Sequence, residues 1–162
     1  MSEALTSGDN RVTLAAFRVG TGIYAIDVAY VREVVRWQSA TPLPKAPRLI
    51  EGVIDLRGAV VPVVDLGKAL GAPSLVPGPS ARIAIVDLDG LVMGLAVDAA
   101  VEVLSVDTAA LDDPPALATH AGYDAARAVV RRSDAAPVLV LSLEHILESV
   151  YRSALTREED AG

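Results

Sequence analysis

Short runs of Val, Ile and Leu, many of them punctuated by glycine or proline, recur along the chain from Val12 to Leu141. This pattern limits the fold more than any other feature. β-Branched side chains are stiff and pack well on a pleated surface, so repeated Val-Val and Val-Ile steps favour strands over helices. Hydrophobic residues make up 52% of the chain but aromatic ones only 4%, so the core must be filled by Val, Leu, Ile and Ala. The 162 residues suit one domain, or two small subdomains sharing a core.

The strands can be placed by their punctuation. Val12 to Val19 and Ile23 to Val28 are two strands joined by a turn at Gly20-Thr21-Gly22. Val28, Val31, Val34 and Val35 fit a helical spacing, but all four are β-branched, which predicts a short helical turn running into a strand. Three prolines in Thr41 to Pro47 predict an extended loop. Gly52 to Leu56 and Ala59 to Leu66 form a hairpin around Arg57-Gly58, with Pro62 expected at an edge or a bulge. Gly67 to Gly71 is a helical turn at most, and Ala72 to Ser80 is a Pro/Gly/Ser loop. Arg82 to Leu88 and Leu91 to Asp98 flank Asp89-Gly90, a type I′ hairpin signal. Val101 to Val106, Ala126 to Arg132 and Pro137 to Leu141 are further strands. Ser142 is placed to cap a closing helix whose apolar face is Leu143, Ile146, Leu147 and Val150. Residues 1–11 and 152–162 read as polar tails, the second acidic and frayed, around a domain at 12–151. The segment Asp55-Leu56-Arg57-Gly58-Ala59-Val60 is echoed by Asp87-Leu88-Asp89-Gly90-Leu91-Val92, which suggests one similar hairpin in each half.

The chemistry is sparse. A net charge of −7 argues against nucleic acid and anionic membrane surfaces as partners. With no cysteine there is no disulfide, thiolate or Cys-based zinc chemistry. His120 and His145 have no second histidine at ligand spacing, so no metal site is expected. Asp27, Asp55, Asp65, Asp87, Asp89 and Asp98 follow strand ends, where Asp ordinarily bonds local backbone, and nothing in their spacing demands a catalytic pair. Gly67-Lys68-Ala69 lacks the hydroxyl of a phosphate loop. No secretory leader or membrane-spanning run is evident, which makes the cytoplasm the expected location. Arg57 stands out as a long cation at the apex of an apolar hairpin. Read alone, it is either a solvated turn residue or a hydrogen-bonding fork offered to a partner.

The run from Ile50 to Leu66, centred on Asp55-Leu56-Arg57-Gly58, resembles the signature hairpin of the CheW-like domain family. The blocks Tyr24-Ala25-Ile26-Asp27-Val28 with Val31-Arg32-Glu33-Val34, and Met93 to Asp98 with Val101 to Leu104, are similar to that family in order and separation. The resemblance covers roughly Val12 to Tyr151. It implies a mainly β fold: two interleaved, SH3-like, five-stranded barrels with a C-terminal helix. It implies a non-enzymatic, cofactor-free adaptor that couples the cytoplasmic tips of chemoreceptors to the regulatory domain of a CheA-type histidine kinase within a larger signalling array. Receptor-facing positions would be Val31, Glu33, Gly52, Asp55, Arg57, Gly58, Gly94 and Val101, with Leu117 in a kinase-contacting loop. The family usually has Asn at the position of Asp55, and a negative charge there is expected to draw Arg57 inward and weaken receptor binding. Two alternatives follow: a degenerate member that binds one partner only, and a small-ligand-binding barrel that uses the cleft between subdomains.

Overall fold

The structure is a computed structural model that describes residues 10–114 and 125–161, with side chains described as far as Arg152. Among the described residues, eleven strands form two sheets. The first runs in the order β8-β1-β2-β11-β10-β9, from Ala99–Asp107, Arg11–Val19, Gly22–Asp27, Val138–Leu141, Ala126–Val130 and Leu111–Asp112. The second runs β3-β6-β7-β5-β4, from Val31–Arg36, Arg82–Leu88, Leu91–Val97, Ala59–Asp65 and Ile50–Leu56. The second sheet is thus a central barrel inserted into a terminal barrel built from both ends of the chain. The fold is the expected pair of SH3-like subdomains. The terminal barrel has a sixth strand because a 3-10 turn at Thr108–Ala110 separates the two-residue β9 from β8.

Alternation along each strand divides the core in three. In β1, Leu14 and Ala16 face the interior of the terminal barrel, while Ala15, Phe17 and Val19 face a core shared between the barrels. In β6, Ile83 and Ile85 fill the central barrel, while Ala84, Val86 and Leu88 join the shared core. A strand covered on both faces reads as a nearly continuous apolar run, which accounts for Leu14 to Phe17 and Ile83 to Val86. Phe17, the chain's single phenylalanine, lies fully buried in the shared core, where burial of such a side chain contributes about 2–3 kcal/mol.

Several local expectations meet their physical reasons here. The helical turn before β3 is a 3-10 turn at Val28–Tyr30, opened by Asp27, whose carboxylate accepts the Ala29 N–H at 2.9 Å. The proline-rich segment does more than loop. Thr41 exchanges two backbone bonds with Val53, at 2.8 and 2.9 Å, and so covers the outer edge of β4. Pro62 lies at neither a bulge nor an edge strand, since β5 sits between β4 and β7. It pairs with Val53 on one side, and the parallel ladder to β7 begins only at the next residue, Val63. The missing N–H is tolerated where β5 locally has one neighbour.

The short helix α1 spans Leu66–Ala69 and the closing helix α2 spans Leu143–Ala161. Ser142 Oγ accepts the His145 N–H at 3.4 Å, and Leu143, Ile146 and Val150 bury against the shared core. The acidic stretch expected to fray after Tyr151 is helical to Ala161, in keeping with the helix preference of Arg and Glu in Arg157-Glu158-Glu159.

Candidate functional site

The two echoing hairpins share one turn geometry. Arg57 and Gly58 have φ of 52° and 90°, and Asp89 and Gly90 have 52° and 89°. Positive φ at both central residues defines the type I′ turn, whose twist matches the flanking strands. A non-glycine residue in this region costs about 1 kcal/mol. Because Asp89 bears the same strain as Arg57, the turn type demands it and it does not by itself mark a functional residue.

Each turn is also braced in the same way. Asp55 Oδ1 accepts the Gly58 N–H at 2.8 Å, and Asp87 Oδ1 accepts the Gly90 N–H at 2.8 Å. This corrects the expectation for Asp55. Its carboxylate is turned toward the backbone of its own turn and does not capture Arg57. The guanidinium reaches across to β3, where it donates to Glu33 and forms an ion pair. The Glu33 hydrogen bond, and after it the Glu33 charge, hold Arg57 above its ordinary pKa, so it stays cationic at any physiological pH. The Arg57 side chain is 68% exposed, which leaves solvent to screen the pair and the cation free to trade partners.

β3 is tied to the second hairpin by the residue next to Glu33. Val31 pairs with Val86 and Glu33 with Ile85, so Arg32 is the extra residue of a bulge. Arg32 forms an ion pair with Asp87 at 2.8 Å. The bulge lets two consecutive residues of one strand engage both hairpins.

The remaining predicted positions separate into kinds. Asp55, Arg57, Gly58 and Glu33 converge on one tip. Val31 is half-buried against the shared core. Gly52 and Gly94 are buried and lie in one row across the sheet, on either side of Val63. A Cβ on Gly52 would sit 2.3 Å from Thr41 O, and one on Gly94 would sit 2.6 Å from Ile83 Cγ2. These two positions therefore shape the barrel through their lack of a side chain. Val101 belongs to the terminal barrel. Ala16 pairs with Glu102 and Phe17 with Ala100, so Val101 is the bulged residue of edge strand β8 and is exposed. Leu117 and His120 lie outside the described residues.

Sequence reading missed two exposed apolar side chains. Val60, 69% exposed, pairs with Asp55 beside the Arg57 tip, and Val103, 68% exposed, follows Val101 on β8. Period-two spacing from Val101 to Val103 was the available signal. Among the described residues no three His, Asp or Glu side chains are grouped to hold a metal ion. Two cavities, of about 240 and 300 Å³, flank Leu75, which lines both together with Asp65 and Ala96. Asp65 is buried, and its two oxygens accept the Lys68 N–H at 3.2 Å and the Leu75 N–H at 2.9 Å, so it is committed to holding α1 and the 72–80 segment. No helix among the described residues is long and apolar enough to cross a membrane.

Paired SH3-like barrels that present a braced, exposed cation beside an apolar side chain define a protein-binding module. The chain belongs to the CheW-like domain family, whose profile matches residues 13–151. It is 34% identical over 150 residues to Chemotaxis protein CheW of Rhizobium meliloti, covering 93% of this chain and 95% of that protein. It is 30% identical to Protein FrzA of Myxococcus xanthus, covering 87% and 88%. The crystal structure of scaffolding protein TtCheW from Thermoanaerobacter tengcongensis superposes with a TM-score of 0.75 at 32% identity, covering 85% of this chain and 92% of that one. The family and fold assign the chain to the adaptors of chemotaxis signalling.

Proposed function

We propose that this protein works in the cytoplasm as a non-catalytic adaptor, linking the cytoplasmic tips of chemoreceptors to the regulatory domain of a CheA-type histidine kinase within a larger array. The observation that carries this reading is the Arg57 tip. A guanidinium that is exposed, cationic and screened by solvent in its pair with Glu33 can exchange that carboxylate for an acceptor on a receptor helix. Asp55 and Gly58 hold the turn that presents it, and Val60 adds apolar contact. Val31 and Val101 supply apolar surface from the two barrels, while Gly52 and Gly94 act by keeping the central sheet close-packed. Leu117 is assigned to the kinase-facing loop. Because Asp55 does not sequester Arg57, the structure gives no particular support to a degenerate, single-partner variant.

Reconstitution tests the reading. Kinase autophosphorylation is measured with a receptor cytoplasmic fragment, with the kinase alone, and with both plus this protein. Receptor control of the kinase should appear only in the three-part mixture. Receptor control that is the same without the adaptor would refute the proposal.

A further inference from the structure

Several strand-end aspartates in this chain cap a backbone N–H two or three residues further on. Asp27 caps Ala29, Asp55 caps Gly58, Asp65 caps Lys68, Asp87 caps Gly90 and Asp107 caps Ala109. Asp98 instead accepts, through Oδ2, the N–H of Gly20 at 2.6 Å, from a residue 78 positions earlier. Its own N–H donates to Arg18 O at 3.0 Å. Asp98 is also the single residue between β7, the last strand of the central barrel, and β8, the first return strand of the terminal barrel. The chain changes barrels there in one step; the N–H of the crossing residue continues the β8–β1 ladder, and its carboxylate grips the β1–β2 turn of the terminal barrel. Four side-chain ion pairs among the described residues each stay within one barrel: Arg132 with Glu102 in the terminal one, and Arg57 with Glu33, Arg32 with Asp87 and Lys68 with Glu51 in the central one.

We propose that Asp98 is a positioning residue that fixes the orientation of the two barrels and thereby the geometry of the receptor-binding surface. The second half rests on the adaptor reading. That surface takes Glu33 and Arg57 from the central barrel and Val101 from the terminal one, and Asp98 lies three residues before Val101, at the point where the chain passes between the barrels. The shared apolar core holds the barrels together but is non-directional. A short, charge-assisted hydrogen bond at the crossover supplies the direction that apolar burial lacks.

The chain has no cysteine, so two engineered thiols can be spin-labelled without background. Arg36→Cys with Arg127→Cys reports across the barrels, and Arg36→Cys with Asp89→Cys reports within the central one; all three side chains are exposed. In Asp98→Ala the inter-barrel distance distribution should broaden about twofold while the intra-barrel one is unchanged, as expected when one directional bond is lost. Asp98→Asn, which keeps an acceptor oxygen, should restore the parent width. Affinity for a receptor cytoplasmic fragment should fall about tenfold in Asp98→Ala and recover to within about threefold in Asp98→Asn. A folded Asp98→Ala protein with the parent inter-barrel distribution overturns the proposal. If that variant does not fold, amide exchange in the parent decides. Protection of the exposed Gly20 N–H matching the β1 amides supports the clamp, and exchange at the rate of a free turn amide overturns it. A broadened distribution in a protein whose parent ignores the receptor fragment would instead overturn the adaptor reading and leave the clamp standing.

Discussion

The hairpins β4–β5 and β6–β7 share a frame and differ in what they present. Both turn through the same left-handed pair of residues and brace the turn with an aspartate two positions before it. Both reach β3 through an ion pair, but with opposite polarity. The first offers Arg57 from its apex to Glu33, and the second accepts Arg32 at Asp87, below its apex. The apex of the second, Asp89, is exposed. The comparison separates scaffold from signal. Features common to both hairpins serve the fold, and the cation present in one only is the candidate for recognition.

The largest break in this symmetry should come from the glycine that each hairpin needs. Gly52→Ala sets a methyl group against the backbone of Thr41, which is fixed by two hydrogen bonds, and should cost about 3 kcal/mol in urea unfolding. Gly94→Ala meets Cγ2 of the buried, β-branched Ile83, which yields only by leaving its χ1 rotamer but does not displace hydrogen-bonded backbone, so its cost should be somewhat smaller, about 2 kcal/mol. A Gly94→Ala loss exceeding that of Gly52→Ala would reverse this assignment of rigid and yielding neighbours.

Removing the turn braces comes next. Asp55→Ala and Asp87→Ala should each lower stability by about 1 kcal/mol, the usual net worth of one hydrogen bond. Asp87→Ala should exceed its counterpart by only a few tenths of a kcal/mol, because the ion pair it also loses has an exposed Arg32 and is screened by solvent. A loss near zero for Asp55→Ala would show that its carboxylate does not hold the turn in solution. Smallest of all, Asp89→Asn should change stability by less than about 0.5 kcal/mol, since an exposed apex touches no core and Asn suits the left-handed turn as Asp does.

Much of this frame could be read from the residues. Asp89-Gly90 announced a type I′ turn, and the echo between Asp55 to Val60 and Asp87 to Val92 proved to be a shared turn geometry. The pairings that position the site could not be read. Glu33 meets Arg57 across 24 residues only because the central sheet folds as it does, and the parallel ladders of β5 with β7 and of β11 with β2 join strands remote in sequence. Periodicity reports which face of a strand is buried, not which strand lies beside it. The same limit hid the role of Asp98. In sequence it is one more strand-end aspartate, and its partner at Gly20 appears only when β8 lies beside β1. β9 escaped notice because a two-residue strand carries no period.

The claim that recognition rests on the Arg57 apex and not on the shared hairpin frame is tested most directly by calorimetric titration of a receptor cytoplasmic fragment into the parent, Arg57→Ala and Asp89→Ala proteins. The account predicts that Arg57→Ala weakens binding about ten- to a hundredfold with an unchanged melting temperature, as loss of an interface anchor does, while Asp89→Ala binds as the parent does. Equal affinities for all three proteins would contradict it.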